Sequence, residues 1–274
     1  MAERRERTQI IAEVGANHGG DLGLAEEMIA VAAAAGVDYV KFQSWQAKNV
    51  IRTFPDYDAT FARHRKAELS DAAHERLIEC CRRHGVRFLT TCFDVGRVAF
   101  LASLGLDTIK VASPDCGSTR LLEMLRERFP RMFVSTGMTP DEDVVRAAET
   151  LRGHDVTFLH CVSLYPTPSH LVNMARMDWL RTLAPRVGFS DHTMGTAAAR
   201  LAIARGAAVV EKHFTTDRLL PGKDQSVSGL PYEFRELVAY AEETASMLGE
   251  ERPQMSDEEL RLRGIYVGKW GDNR

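Results

Sequence analysis

A chain of 274 residues with 45% hydrophobic content can bury one sizeable core, and an α/β barrel of this length fits within a single domain. Its 35 basic and 38 acidic residues are mixed along the chain for a formal net charge of −3, with no basic block beyond the MAERRER start, which speaks against nucleic-acid and membrane-surface partners. No apolar stretch of roughly 18 residues occurs, and the charged N-terminus lacks the apolar core of a signal peptide, so a cytoplasmic protein is expected.

Short β-branched runs alternate with Ala/Leu-rich stretches along the whole chain. TQIIAEV is followed by LGLAEEMIAVAAAAG with its glycine stop and then by VDYVKFQ, a βαβ signature. Next comes Trp45 to Lys66, too long for an ordinary β/α connection and rich in aromatics, which predicts a folded loop, a candidate lid, over one end of the domain. The strand-like runs VRFLTT, DTIKVAS, RMFVSTG, DVTFLHCVS, RVGFSD and AAVVEKHF continue the series. Between and after them lie helical stretches such as TRLLEMLRERF, GTAAARLAIARG and YEFRELVAYAEETASML. Eight strands without strict alternation imply burial on both faces, as in a parallel sheet. The expected fold is α/β, a (β/α)8 TIM-type barrel over residues 1–250 with a tail over 251–274; a doubly wound sheet is the alternative. No G-x-G-x-x-G follows the first strand, which removes the usual dinucleotide site. The five cysteines, Cys80, Cys81, Cys92, Cys116 and Cys161, are odd in number and lack C-x-x-C spacing, so they are read as reduced thiols.

In a barrel the C-terminal strand ends converge on one mouth. Read in order they carry Glu13, then Lys41 and Gln43, Thr91, Lys110 and Ser113, Ser135, Ser163 and Tyr165, Ser190 and His192, and finally Lys212 and His213. Some of the hydroxyls, Thr91 and Ser135 among them, have a plain alternative role as helix caps. Lys41 and Lys110 end apolar runs, where a cation is costly unless it meets an anion, and lysine suits phosphate as a point charge. With Gly137 opening backbone N–H groups ahead of TPDED, they describe a phosphate or carboxylate cradle. His192 in GFSDHTMG and His213 in VVEKHF stand about one β/α unit apart, where two imidazoles can share a metal with open coordination positions. Glu13 and Asp115 add carboxylates able to ligate metal, hold sugar hydroxyls or move protons, unless they merely pair with the lysines.

The segments IIAEVGANHGGDL, VKFQ, TIKVASPD, FVSTGM, LHCVSLYPTP, GFSDHTMG, VVEKHFTTD and PGKDQS, in this order from Ile10 to about Ser226, resemble the sialic acid synthases. That family condenses phosphoenolpyruvate with an N-acetylated amino sugar. The resemblance implies a TIM-type barrel with a divalent metal, Mn2+ or Mg2+, on His192 and His213. It implies phosphoenolpyruvate contacts at Lys41, Thr91, Lys110, Ser113, Ser135 and Ser190. Acceptor contacts fall on Gln43, Tyr165 and Asp224, with Ser163 at the mouth. Glu13, Asp115 and His213 are the implied catalytic groups, the substrates are phosphoenolpyruvate and a sugar aldehyde, and a homodimer is implied as well.

Three positions depart from the family pattern. KVASPD carries Asp115 where the family usually has Glu, a side chain shorter by one methylene that re-aims a proton-transfer group. Ser163 replaces a common Asn and removes an amide donor. RLRGIYVGKW resembles the linker to a small C-terminal antifreeze-like domain, and the sequence ends at Arg274. These departures leave room for aldol cleavage, epimerisation or pyruvyl transfer on the same barrel, or for a non-catalytic partner of a synthase; retention of both lysines and both histidines speaks against the last.

Overall fold

The computed structural model describes residues 7–248 and 255–271; the MAERRER start, apart from Arg7, and the 250/251 boundary lie outside the described residues. Among the described residues eight parallel strands close into a barrel in sequence order. They are β1 (Gln9–Gly15), β2 (Tyr39–Ser44), β3 (Arg87–Cys92), β4 (Thr108–Val111), β5 (Arg131–Ser135), β6 (Asp155–Cys161), β7 (Arg186–Asp191) and β8 (Val209–His213). The helices outside it are α1 (Leu22–Ala34), α2 (Tyr57–Ala67), α3 (Asp71–Arg83), α4 (Val98–Ser103), α5 (Thr119–Arg126), α6 (Asp141–Thr150), α7 (Arg176–Arg181), α8 (Ala197–Ala204) and α9 (Pro231–Leu248). The expected (β/α)8 barrel is therefore the fold. In the tail, α10 (Asp257–Tyr266) starts on a capping box between Ser256 and Glu259. No helix among the described residues is long and apolar enough to cross a membrane, and the five cysteines are free.

Local chemistry sets the elements. Asp21 caps α1, its Oδ1 accepting from the N–H groups of Gly23 and Leu24, and Gly36 ends the helix at φ +84°, a left-handed turn that suits glycine. α5 turns Leu121, Leu122 and Leu125 inward between exposed polar residues; burial of each contributes about 1.5–3 kcal/mol. One expectation needs correcting. The stretch Trp45 to Lys66 is a 3-10 turn followed by α2, and the connection continues into α3, which begins on Ser70 accepting from the Ala73 N–H. Its lining is ordered by Trp45, which sits edge-on to His64 at 5.2 Å and donates its indole N–H to the His64 carbonyl.

Alternation along the strands sorts the barrel interior into layers. Ile11, Tyr39, Leu89, Phe133, Leu159 and Val209 form an apolar cluster inside the barrel. Two residues further along these strands the same inward face carries Glu13, Lys41, Thr91, Ser135, Cys161 and Glu211. The apolar plug thus forms the floor of a polar chamber at the C-terminal end.

Candidate active site

Strand register fixes the neighbours in that chamber. Glu13 lies between Lys41 of β2 and His213 of β8, Thr91 is paired with Lys110, and Ser190 with Glu211. Lys41 is 3% exposed and holds three partners: Glu13 Oε2 at 3.0 Å, Glu211 Oε2 at 3.5 Å and the Thr91 hydroxyl at 2.9 Å. Burial disfavours its charge, but the two carboxylates outweigh burial and hold its pKa above the usual value. Burial also raises the Glu13 carboxyl against the pull of Lys41, with the Glu211 charge adding to the rise. Burial works on Glu211 too, yet Lys110 and Lys41 hold that carboxyl low. The acids thus divide their roles: Glu211 keeps the negative charge, and Glu13 is the one inclined to hold a proton.

Lys110 is arranged differently. Its ammonium donates to the Ser135 hydroxyl at 2.6 Å and to the Val111 carbonyl at 2.9 Å, and it makes no ion pair among the described residues. It is 2% exposed, and burial lowers its pKa. Beside it, Ser113 accepts from the Gly137 N–H at 3.1 Å. A side chain at Gly137 has no room: a Cβ there would lie 2.5 Å from Ser163 Oγ and 3.0 Å from Ser113 Oγ. Lys41, Thr91, Lys110, Ser113, Ser135 and Ser190 are thereby brought together around one chamber, as the strand ends predict.

The two histidines meet at the rim. Their ring centroids are 5.6 Å apart, and Tyr165 covers both, at 4.1 Å from the His192 ring and 5.9 Å from that of His213. His192 Nδ1 bonds the Val162 carbonyl at 2.9 Å, which leaves Nε2 for a ligand. Burial depresses His213 well below the ordinary histidine range, so its imidazole is neutral, and its buried Nδ1 has no hydrogen-bond partner. Two neutral-capable imidazoles with an unpartnered nitrogen fit a divalent metal. No cluster of three His, Cys, Asp or Glu residues with metal-site spacing occurs among the described residues. Cys161 Sγ lies 3.8 Å from His192 Nδ1; burial opposes its ionisation, but the His192 contact brings the thiol below its usual pKa and raises that of His192.

The remaining expected residues sit around this centre. Gln43 donates to Glu13 Oε1 at 2.6 Å. Ser163 approaches Cys161 at 4.0 Å. Asp224 precedes the 3-10 turn Gln225–Val227, and burial raises its carboxyl. Burial likewise pushes up the Tyr165 phenol. Asp115 occupies the 3-10 turn Ser113–Asp115 after β4, with no ion pair among the described residues, and burial pushes it up to about 6. The alternative that the acids merely pair with lysines holds for Glu13 and not for Asp115.

Two features differ from a strand-end reading. Glu211, absent from the expected set, is the carboxylate that bridges toward Lys41 and accepts from Ser190 Oγ at 3.1 Å. Its signal was the period of two in VVEKH, which puts 211 on the same face as His213. Lys212 faces away, pairing with Asp191 at 3.0 Å and donating to the Thr193 carbonyl at 2.6 Å; this fully buried pair ties β7 to β8.

A closed parallel barrel whose acids, lysines and imidazoles converge on the C-terminal mouth is the arrangement of a (β/α)8-barrel enzyme. The chain belongs to the NeuB family, whose model matches residues 28–253. It is 34% identical over 278 residues to an N,N'-diacetyllegionaminic acid synthase of Legionella pneumophila, covering 93% of the chain and 77% of that protein. A protein of the same name from Campylobacter jejuni is 34% identical over 262 residues, covering 89% and 78%. The crystal structure of an N-acetylneuraminic acid synthetase from Leptospira borgpetersenii, in complex with citrate, superposes with a TM-score of 0.88 at 31% identity, covering 95% of this chain and 93% of that one.

Proposed function

We propose that the chain condenses phosphoenolpyruvate with an N-acylated aldose to give a nonulosonic acid and inorganic phosphate, in the cytoplasm where phosphoenolpyruvate is made. The observation that supports this most directly is Lys110: a buried ammonium with hydroxyl and carbonyl partners but no carboxylate within ion-pair distance among the described residues. An incoming anion supplies the missing counter-charge. Ser113, Ser135, Thr91 and Ser190 surround the same chamber with hydroxyls for phosphate and carboxylate oxygens, and likeness to synthases of this family over most of the chain supplies the substrate class.

In the reaction C3 of phosphoenolpyruvate bonds to the aldehyde carbon, the carbonyl oxygen takes a proton, water adds at C2, and phosphate departs as the C2–O bond breaks. Glu13 gives the proton in this reading, supported by burial, which keeps its carboxyl inclined to the acid form, and by Gln43, which orients it from the other side. Glu211 fixes Lys41 in place, and Lys110 with Ser135 holds the anion. Asp115, pushed up to about 6, is a second group able to exchange a proton near neutral pH. His192 and His213 would hold Mn2+ or Mg2+, which when bound supplies Lewis-acid polarisation of the acceptor carbonyl. Tyr165 and Asp224 flank the acceptor.

Phosphate release from phosphoenolpyruvate across a panel of aldoses, with and without Mn2+, is the test. The expected product carries the three-carbon pyruvate unit added to the acceptor. Metal-loaded, folded protein that released no phosphate with any acceptor would sink the reading, and a product isomeric with the acceptor would point to epimerisation.

A further inference from the structure

The two imidazoles are held by different means. His213 is the last residue of β8 and is fixed by the sheet: it pairs with Glu13 of β1, and the N–H of Phe214, one residue on, donates to the Glu13 carbonyl at 2.7 Å. His192 stands one residue past β7, and the pairing of β7 with β8 stops at Asp191 and Lys212, the position before each imidazole. Strand register alone therefore leaves the separation of the two rings open. Alternation puts 192 and 213 on the chamber face, and 191 and 212 on the opposite face behind them.

Lys212 closes that gap. Its ammonium donates to Asp191 Oδ2 at 3.0 Å and to the Thr193 carbonyl at 2.6 Å, so one side chain from β8 grips the residues on both sides of His192. Asp191 completes the ring by accepting the Thr193 N–H on Oδ1 at 2.8 Å. On the other flank the His192 carbonyl accepts from the Thr167 N–H at 2.9 Å, and its Nδ1 meets the Val162 carbonyl. Lys212 and Asp191 are each 1% exposed. A buried ion pair is a poor source of stability, since apolar side chains of like volume do as well or better; what it adds is direction. A cation bound by imidazoles depends on direction, because its distances to ligand nitrogens are fixed to within about 0.2 Å. Resting on the reading that His192 and His213 hold a divalent metal, we propose that Lys212 and Asp191 are positioning residues for that metal: their clamp sets the spacing of the two imidazoles and thereby the affinity of the site.

Mn2+ binding to the full chain, read by loss of the free-ion paramagnetic resonance signal, is the test. Asp191→Asn combined with Lys212→Met removes both charges at nearly constant volume and keeps an acceptor for the Thr193 N–H, so the barrel is expected to fold. The dissociation constant for Mn2+ should rise about 10–100-fold, the usual cost of losing a group that orients a metal ligand. Phosphoenolpyruvate affinity, read by calorimetry without metal, should stay within about twofold. A purely structural pair would instead lower the urea midpoint and leave the Mn2+ affinity of the folded protein alone. Should the double variant not fold, Asp191→Asn by itself carries the test, with a rise of about threefold or more expected. Unchanged Mn2+ affinity in folded variant protein overturns the clamp and leaves the metal and condensation readings standing. Phosphoenolpyruvate affinity that falls in step with Mn2+ affinity overturns it too, because the pair would then hold the whole mouth and not the two imidazoles. Wild-type protein that binds no Mn2+, or His213→Ala protein that binds it as tightly as wild type, overturns the metal reading itself and the clamp with it.

Discussion

The two ends of the barrel hold their positive charge in opposite ways. At the N-terminal end the cations are arginines with aspartate partners: Arg7 meets Asp38 at 2.8 Å, Arg131 meets Asp155 at 2.9 Å, and Arg186 shares Asp155. Arg87 stacks 3.8 Å above the Tyr39 ring. The paired side chains are between 18% and 45% exposed, so water already stabilises them and each pair contributes about 0–1 kcal/mol. At the C-terminal end the cations are lysines, 3% exposed or less; among the described residues Lys41 pairs with Glu13 and Glu211, Lys212 is tied to Asp191 outside the chamber, and Lys110 makes no ion pair. Paired, half-solvated charge closes a barrel; buried, unpaired charge marks where a ligand completes the structure.

Lys110→Met gives the largest separation between the ends. Turnover should fall by about 10^3-fold or more through loss of phosphoenolpyruvate binding, the scale of a lost preorganised donor to an anion. Folding stability should change little, because removing a buried ammonium that makes no ion pair among the described residues offsets the loss of its pull on the Glu211 carboxylate. Calorimetry with phosphoenolpyruvate and urea denaturation read the two halves independently; unchanged affinity would remove Lys110 from the cradle.

Lys41→Met should behave as the reverse case. Glu13 and Glu211 lose the ammonium that they share, leaving buried carboxylates uncompensated, and unfolding free energy at pH 7 should drop by about 3–5 kcal/mol. The loss should shrink as pH falls, because protonation relieves the carboxylates. Urea midpoints at pH 7 and pH 5 check it, and a neutral effect on stability would mean that Lys41, like Lys110, awaits a ligand.

This contrast was partly legible in the letters. Barrel closure followed from eight β-branched runs separated by Ala/Leu helices, because a buried parallel strand and an amphipathic helix have different periods. Lys41, Lys110, His192 and His213 were visible as polar residues ending apolar runs. Glu211 is less visible, because the last polar residue of a run does not say which face it is on; alternation from Val209 puts 211 and 213 inward and Lys212 outward. The β2–β3 connection was hidden for another reason. The α2 sequence YDATFARHRKA buries only Thr60 and Ala67, so it carries little of the apolar periodicity by which a helix is recognised. The pairing that separates Lys41 from Lys110 depends on which strands are neighbours, and no single segment contains that.

Arg131→Met probes the other side of the comparison. The partner Asp155 keeps Arg186, so the cost should be about 1 kcal/mol or less, and kcat/KM for phosphoenolpyruvate should stay within about twofold. A loss of turnover comparable with that of Lys110→Met, in a variant with a normal urea midpoint, would show that the charge at the two ends is functionally coupled.

Asp115 tests the comparison at its finest grain, since it is a carboxylate at the mouth that has no cation partner among the described residues. Burial pushes its pKa up to about 6 from an ordinary value of 3.8, so the folded state binds the proton more tightly than the unfolded chain. A raised folded pKa gives stability that is complete below the unfolded value and lost as pH rises through the folded one, which places the loss between about pH 4 and pH 6. Asp115→Asn removes that slope. Because the side chain is only half-buried, solvent screens much of the effect, and the variant should exceed the wild type by only about 1 kcal/mol at pH 7, converging with it near pH 3.5. Urea midpoints across that range decide it. Parallel curves would mean that the Asp115 carboxylate is as well solvated as the paired charges at the base, and a proton-transfer role near neutral pH would lose its physical basis.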